Sequence, residues 1–282
     1  MTQSHWRPID GVNLKTLSHA RAPAHYAAQW LARAGYAYVT PKSDSSHTNV
    51  GWDDALDGFT THPLKGDLRL GLKIPQLSLV LMEGKAVSTS FSMDARTEAD
   101  VRAWFGKEMS ARGLDAKALD KPLPYELLAH PNAKGGAYNV TENAKGLVTL
   151  AAWFGNANAS LGRIRESHNK GKLQASQVRC WPHHFDLATL ILLDGDPEKG
   201  RSINVGLSPG DGTYDEPYFY ITPWPFPDRA KLLLLPPIGH WHTEGFTAAV
   251  ALASSILEST DPQKETEAFL DAAVEGSLKA LG

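Results

Sequence analysis

Two short segments of the chain are rich in side chains that bind metals or transfer protons. The first runs from Arg179 to Leu187 and the second from Gly239 to Glu244. In an extended strand every second side chain points to the same face, so an extended chain would place His184 and Asp186 together. The histidines and carboxylates of the two segments are His183, His184, Asp186, His240, His242 and Glu244.

Imidazoles and carboxylates gathered in one place form the donor set that zinc or another divalent transition metal prefers. We expect His184, His240 and His242 to be the metal ligands. A bound metal lowers the pKa of its water toward roughly 7 and so supplies a nucleophile at neutral pH. The catalytic residues would then be Asp186, Glu244 and His183, acting as bases or as partners of the ligands. This pattern predicts a metal-assisted hydrolase with a small ester-like or phosphoester-like substrate.

Aromatic residues near the same segments support a second interpretation, a non-catalytic binding protein. Aromatic rings beside polar groups form walls that suit a sugar or an aromatic ligand. In that case the histidines would only form hydrogen bonds with the ligand. The expected substrate-binding or ligand-binding residues are Trp181, Tyr218, Tyr220, Trp224 and Trp241.

Cys180 allows a third interpretation, metal-free hydrolysis by this thiol or by a serine that a histidine activates. A cysteine beside a tryptophan in an apolar strand is more often inert packing, and histidines beside tryptophan and proline are often packing residues too. The sequence has no His-Glu-x-x-His, Cys-x-x-Cys, Gly-x-Gly-x-x-Gly or Gly-Lys-Ser/Thr motif. We therefore expect no nucleotide cofactor, and the metal signal is a weak one.

Composition limits the remaining functional classes. The chain has 282 residues, of which 42% are hydrophobic, so it can bury a large core. Its net charge of -3, from 28 basic and 31 acidic residues mixed along the chain, gives no field that would attract nucleic acid. The longest apolar runs are far shorter than the roughly 20 residues that span a bilayer. We expect a small-molecule substrate and no nucleic-acid or membrane partner.

The single cysteine and the N-terminal residues indicate a cytoplasmic location. One cysteine excludes an intrachain disulfide, which is typical of a reducing compartment, and the first residues do not resemble a signal peptide. Surfaces rich in tryptophan and tyrosine often become dimer contacts, so a homodimer also fits the sequence.

Apolar spacing predicts an α+β fold. In the first half it indicates a helix over 19–34, antiparallel strands over 68–72, 77–81 and 87–93, and a helix that Thr97 caps and Gly113 ends. The second half repeats this order. It has a helix over 144–168, strands over 178–193, 202–207, 218–221 and 231–235, and helices over 245–257 and from 261 onward.

The repeated order predicts two similar halves packed together, each a helix, an antiparallel sheet and a helix, with a helical C-terminus. The first half is 1–120 and the second, which carries the histidine-rich site, is 144–282. Proline and glycine are frequent between them, which is typical of a connector over 121–143.

The segment Val178-Arg-Cys-Trp-Pro-His-His-Phe-Asp-Leu-Ala resembles an uncharacterised bacterial family, known as a domain of unknown function, in which Pro-x-His-Phe leads into Phe-Asp-Leu-Ala. The resemblance extends more loosely to the N-terminal helix and to three further segments. It implies a shared fold and a site near His184 and Asp186, but it brings no activity, cofactor or substrate. The further segments are Gly58-Phe-Thr-Thr-His-Pro-Leu, Pro124-Tyr-Glu and Glu216-Pro-Tyr-Phe-Tyr.

Overall fold

The structure is a computed structural model that describes residues 6–9, 14–127, 129–196 and 199–282. It confirms the α+β class, with antiparallel sheets and a helical C-terminus. The α-helices are α1 (Leu14–Tyr38), α2 (Glu98–Ala111), α3 (Val140–His168), α4 (Ala253–Leu257) and α5 (Pro262–Leu281). The strands are β1 (Gly51–Asp53), β2 (Gly58–Thr60), β3 (Leu68–Lys73), β4 (Ser78–Glu83), β5 (Ala86–Ser92), β6 (Gln174–Ala175), β7 (Arg179–Trp181), β8 (Asp186–Leu192), β9 (Ser202–Ser208), β10 (Tyr218–Trp224), β11 (Gly239–His242) and β12 (Ala248–Leu252).

Contacts divide the chain into two compact units that interleave along the sequence. Of the described residues, unit 1 contains 6–9, 153–179, 186–196 and 199–282, and unit 2 contains 14–127, 129–152 and 180–185. Helix α3 contributes residues to both units. The division into halves over 1–120 and 144–282 and the similarity of those halves both stay predictions.

The sheet of unit 2 is an antiparallel meander in the order β1-β2-β3-β4-β5. Gly84 has a φ of 62° in the tight turn between β4 and β5, a conformation that glycine adopts at low cost. Alternate residues of β3 such as Leu70 and Leu72 are fully buried, as the spacing predicts. At Gly58 a Cβ atom would overlap the carbonyl of Leu72 on the neighbouring strand, so only glycine allows this close pairing.

The sheet of unit 1 is also antiparallel, in the order β11-β12-β10-β9-β8-β6. Helix α5 packs against β9, β10 and β12, and its Phe269 lies where a side chain at Gly239 would be. The face toward α5 is apolar because Val205 and Ile221 are among the buried residues that alternate along β9 and β10. The opposite face carries polar and aromatic side chains.

Three predicted elements differ from the structure. The segment 178–193 is interrupted by a turn over 182–185, and 231–235 forms a short 3₁₀ turn followed by irregular chain rather than a strand. The segment 245–257 contains strand β12 before the short helix α4. Its alanine-rich apolar run has no periodicity that separates a buried strand from a helix.

Helix ends follow the local signals well. Thr97 and Asp100 form a reciprocal capping box at α2, and the Asp261 side chain accepts the backbone N–H of Lys264 at the start of α5. Within the described part of the chain, no helix is both long enough and apolar enough to cross a membrane.

Candidate functional site

Strand pairing collects the polar and aromatic residues of unit 1 on one face of its sheet. Tyr220 pairs with Gly206 on β9 and with Val250 on β12, and Val250 pairs in turn with His240 on β11. Residues that are directly opposite in adjacent strands share a face. We call this surface, together with the adjoining loop, the tyrosine face. Its main side chains are Asp186, Asn204, Ser208, Asp211, Tyr214, Tyr218, Tyr220, Thr222, Trp224, His240 and His242.

Tyr220 on β10 crosses one strand, β9, to reach a carboxylate on β8. Its hydroxyl donates a short hydrogen bond to Asp186 at the start of β8. The tyrosine ring lies where a Cβ atom at Gly206 would be, so the glycine on β9 provides the space that this crossing needs. Burial raises the pKa of Tyr220 well above its usual value, and the charge of Asp186 raises it further. The phenol therefore stays protonated and can only donate to Asp186.

Tyr218 is fixed by a loop carboxylate. Its hydroxyl donates to Asp211 Oδ2 at 2.6 Å, and burial, together with that bond, raises the pKa of the phenol. Asp211 Oδ1 accepts the backbone N–H groups of Thr213 and Tyr214 at 2.7 and 3.1 Å, an Asx turn that shapes the loop before β10. One carboxylate therefore shapes the loop and orients Tyr218.

Tyr214 is held between two histidines of β11. Its hydroxyl lies 3.1 Å from His240 Nε2 and 2.9 Å from His242 Nδ1. His242 Nε2 lies 2.8 Å from the carbonyl oxygen of Glu244, which can only accept, so this nitrogen donates. In neutral His242 the Nδ1 atom is then an acceptor for the Tyr214 hydroxyl. The phenol oxygen can in turn accept from His240 Nε2.

The charges around Tyr214 favour neutral groups. Burial, then the charges of Asp211 and Glu244, raise the pKa of Tyr214. Burial and the neighbouring His242 lower the pKa of His240. Near neutral pH, Tyr214 and His240 are therefore both uncharged. His240 can then donate to the Tyr214 oxygen, and Tyr214 can donate to His242.

Rings continue the tyrosine face on both sides of Tyr214. The Tyr214 ring packs edge-on against Tyr218 with centroids 5.1 Å apart, and His242 stacks on Phe246 at 4.2 Å. Trp224 is 50% exposed at the end of β10 and packs edge-on against Phe226. The face thus combines buried phenols with an exposed aromatic end.

The segment Trp181–Phe185, which we call the histidine turn, belongs to unit 2. The backbone N–H groups of His184 and Phe185 both donate to the carbonyl of Trp181, at 3.1 and 2.7 Å, so the chain turns here. Phe185 has a φ of 60°, which is unfavourable for a residue with a side chain, and its buried ring offsets that cost. Because the segment is not extended, the expected period of two between His184 and Asp186 is wrong.

Two side chains of helix α1 hold the histidine turn in place. His25 Nε2 and Gln29 Nε2 both donate to the carbonyl of Pro182, at 2.8 and 2.7 Å. The His25 ring stacks on Phe185 with centroids 5.1 Å apart. Burial lowers the pKa of His25 to about 4, and burial also lowers that of His183 to about 4, helped by its neighbour His184. These histidines are therefore neutral packing groups at pH 7.

The structure divides the predicted site residues between the two units. Trp181, His183 and His184 lie in unit 2, with His183 contacting Trp181 and Tyr125 and with His184 exposed. The unit 1 residues differ in their positions. Asp186, Tyr218, Tyr220, Trp224, His240 and His242 share the tyrosine face, the Glu244 side chain is exposed, and Trp241 points away and donates to the carbonyl of Leu233 at 2.8 Å.

The expected metal ligands and the thiol have distinct environments. In the ranges that the structure describes, no three histidine, cysteine, aspartate or glutamate side chains form a group that could hold a metal ion. Cys180 is fully buried in unit 2, and its backbone pairs with Val50. The geometry therefore gives a nucleophilic Cys180 no support.

Sequence reasoning did not identify Tyr214 or the space at Gly206. Tyr214 reaches β11 only because β12 pairs with both β10 and β11, and no local pattern encodes that pairing. Asp211 offered a partial signal, since Asp-Gly-Thr-Tyr is typical of an Asx turn. Gly206 within an otherwise apolar strand was a second signal, because such a glycine often marks close approach by another group.

Comparisons with protein-family models, with curated proteins and with solved structures find no match to this chain. The resemblance to an uncharacterised bacterial family therefore stays a prediction. The geometry of the tyrosine face is therefore the basis for a functional proposal.

Proposed function

We propose that the tyrosine face of unit 1 binds a small, flat molecule that carries hydroxyl groups, such as a sugar or a hydroxylated aromatic compound. One observation carries this proposal: three phenols on one sheet face are each oriented by a separate partner. Tyr220 is bonded to Asp186, Tyr218 to Asp211 and Tyr214 to the β11 histidines. Groups held in this way are typical of recognition sites, because little order is lost when a ligand binds.

The chemistry of the face fits such a ligand. The exposed Trp224 ring offers an apolar surface for stacking, and His240 is an exposed polar group on the same face. Asp211 is exposed, and its carboxylate has more acceptor sites than Tyr218 and two backbone N–H groups use, so it can accept from a ligand hydroxyl group. The face carries both charged and neutral acceptors but no lysine or arginine among its main side chains, which favours a neutral ligand over an anionic one.

The test is a screen of neutral sugars and hydroxylated aromatic compounds, in which binding is detected as a rise in Tm and confirmed by calorimetry. We expect at least one class to bind the parent protein. Trp224→Ala should weaken binding of that compound by up to about tenfold, since stacking of one ring contributes about 0.5 to 1.5 kcal/mol. Tyr220→Phe should weaken it as well, because it removes one of the three oriented phenol hydroxyl groups.

Trp104→Ala is the matched control. Trp104 is a half-buried tryptophan in unit 2 that stacks on Phe91, so its loss changes the aromatic content and leaves the tyrosine face intact. The affinity of Trp104→Ala for the compound should equal that of the parent. A ligand that binds Trp224→Ala as tightly as the parent, or a library without any binder, would remove the basis for this proposal.

Metal-assisted hydrolysis of a small ester-like or phosphoester-like substrate is the second candidate function. The observation that favours it is the convergence of His240 Nε2 and His242 Nδ1 on one oxygen atom. Turnover of model esters and phosphoesters that rises with added Zn²⁺ and disappears in His242→Ala would support it. Equal turnover by the parent and His242→Ala would exclude this site as its source.

We also propose a cytoplasmic setting, since a chain with one cysteine forms no intrachain disulfide, which suits a reducing compartment. We also propose that nucleic acid is not a partner, because the net charge is -3 and basic residues do not cluster on the tyrosine face. Homodimer formation stays a prediction that sedimentation or light scattering would measure.

A further inference from the structure

The phenol of Tyr214 and the imidazoles of His240 and His242 form a compact group of three donors. The phenol oxygen lies 3.1 Å from His240 Nε2 and 2.9 Å from His242 Nδ1. Metal–ligand bonds of about 2.0 to 2.1 Å place two ligands about 2.9 Å apart at a right angle and about 3.4 Å apart at a tetrahedral angle. The observed distances therefore match the spacing of ligands around one transition-metal ion.

The partner of His242 matches the surroundings that metal-bound histidines have in proteins. A ligating imidazole usually donates its second ring N–H to a carbonyl or a carboxylate, which orients the ring and fixes its tautomer. His242 does this through the 2.8 Å bond from Nε2 to the Glu244 carbonyl. Nδ1 of His242 is thereby left without a proton, as the ligating nitrogen of an imidazole has to be.

We propose that Tyr214, His240 and His242 bind one divalent transition-metal ion such as Zn²⁺ or Cu²⁺, with open positions left for water or a ligand. Imidazole suits both of these metals, and an anionic phenolate oxygen adds the negative charge that compensates a dication. All three ligands come from unit 1, so His184, which the sequence predicts as a ligand, is not part of this set.

Metal binding changes the protonation of Tyr214 and the tautomer of His240. Tyr214 loses its hydroxyl proton to solvent when the oxygen becomes a ligand, and the proton on His240 Nε2 is transferred through solvent to Nδ1 of the same ring. His242 keeps its Nε2 proton for the Glu244 carbonyl. One proton is therefore released for each metal ion bound.

The experiment is a Cu²⁺ titration of the full chain without an affinity tag, followed by elemental analysis after dialysis. The parent should retain about one equivalent and gain a visible absorption band, since a phenolate bound to Cu²⁺ absorbs by charge transfer. Tyr214→Phe should lose the band, and His240→Ala should weaken Cu²⁺ binding by at least about tenfold. Circular dichroism checks that each variant is folded.

Two controls make the result specific. Tyr38→Phe removes a phenol of unit 2 that donates to the Asp115 carbonyl and should keep the band, and His184→Ala should keep the full metal content. A charge-transfer band in Tyr214→Phe, or unchanged affinity in His240→Ala, would overturn the proposal, as would a parent that retains no Cu²⁺. The site deepens the second candidate function, but it is measured without substrate. Its failure would leave sugar or aromatic ligand binding untouched.

Discussion

The histidine turn of unit 2 and the tyrosine face of unit 1 use histidine in opposite ways. At the turn, the His25 ring of helix α1 stacks on Phe185 and donates a hydrogen bond from Nε2 to the Pro182 carbonyl. On the tyrosine face, His240 is exposed, and the Tyr214 hydroxyl contacts both His240 and His242. The first arrangement keeps an imidazole neutral and fixed, whereas the second leaves ring nitrogens where a ligand or metal can reach them.

This contrast shows that density of histidines in a sequence is a poor guide to function. The turn has the adjacent His183 and His184, yet the pKa of His183 is lowered to about 4 by burial and by the charge of His184. A group that does not titrate near pH 7 is a poor general acid or base there. The environment of each ring, more than its neighbours in sequence, separates a packing histidine from a reactive one.

The largest expected effect is a pH dependence of stability that comes from His25. Burial lowers its folded-state pKa from 6.5 to about 4, so the unfolded chain binds more protons between those two values. The stabilisation is complete above pH 6.5 and is lost as the pH falls toward 4, by about 2 to 3 kcal/mol. Urea unfolding of the parent at a series of pH values measures this loss.

His25→Phe isolates this contribution, because phenylalanine keeps the stack on Phe185 and cannot be protonated. Its unfolding free energy should change less between pH 6.5 and pH 4 than that of the parent, by about 2 to 3 kcal/mol. His19→Gln is the control, since His19 is an exposed histidine on the same helix. An equal pH dependence in the parent and His25→Phe would show that the turn does not hold its histidine neutral.

The second effect tests the crossing of Tyr220 over Gly206. In Gly206→Ala the added methyl group would meet the Tyr220 ring, which would have to move away from Asp186. Overpacking of this kind costs about 1 to 3 kcal/mol, so urea unfolding should show a loss of about 2 kcal/mol. Gly212→Ala is the control, because nothing lies within 4 Å of a Cβ atom there. Equal stability of the two variants would contradict the crossing geometry.

Much of the fold could be predicted from local patterns, and the candidate site only in part. Alternation in β9 and the capping box at Thr97 depend on neighbours in sequence, so both were predictable. The turn at 182–185 was not, because Phe185 adopts a left-handed conformation that burial of its ring stabilises. Pairing of β10 with β12, which aligns Tyr220 with Val250, depends on residues far apart in the chain. Single-sequence periodicity carries no information on such partners.

The third effect compares two phenol–carboxylate pairs of the tyrosine face. Tyr220→Phe removes the donor of the half-buried Asp186, and a buried acceptor left without its donor costs about 1 to 3 kcal/mol. Tyr218→Phe removes the donor of the exposed Asp211, which water can replace, so its cost should be below about 1 kcal/mol. Urea unfolding of both variants at pH 7 ranks them. The reverse order would mean that Asp186 is better hydrated than its position implies.

The smallest expected change in stability belongs to Tyr214→Phe, below about 1 kcal/mol, because solvent reaches this part of the face and can replace the lost hydrogen bonds. This variant also tests the histidine tautomers, which nitrogen-15 NMR of the imidazole rings measures. In the parent, His242 should carry its proton on Nε2 and His240 should carry its proton on Nε2 as well, since the first donates to Glu244 and the second to Tyr214. In Tyr214→Phe, His242 should keep its tautomer, because the carbonyl acceptor is unchanged, whereas His240 loses its acceptor and should become a mixture. A proton on Nδ1 of His242 in the parent would contradict the hydrogen-bond direction that separates this face from the histidine turn.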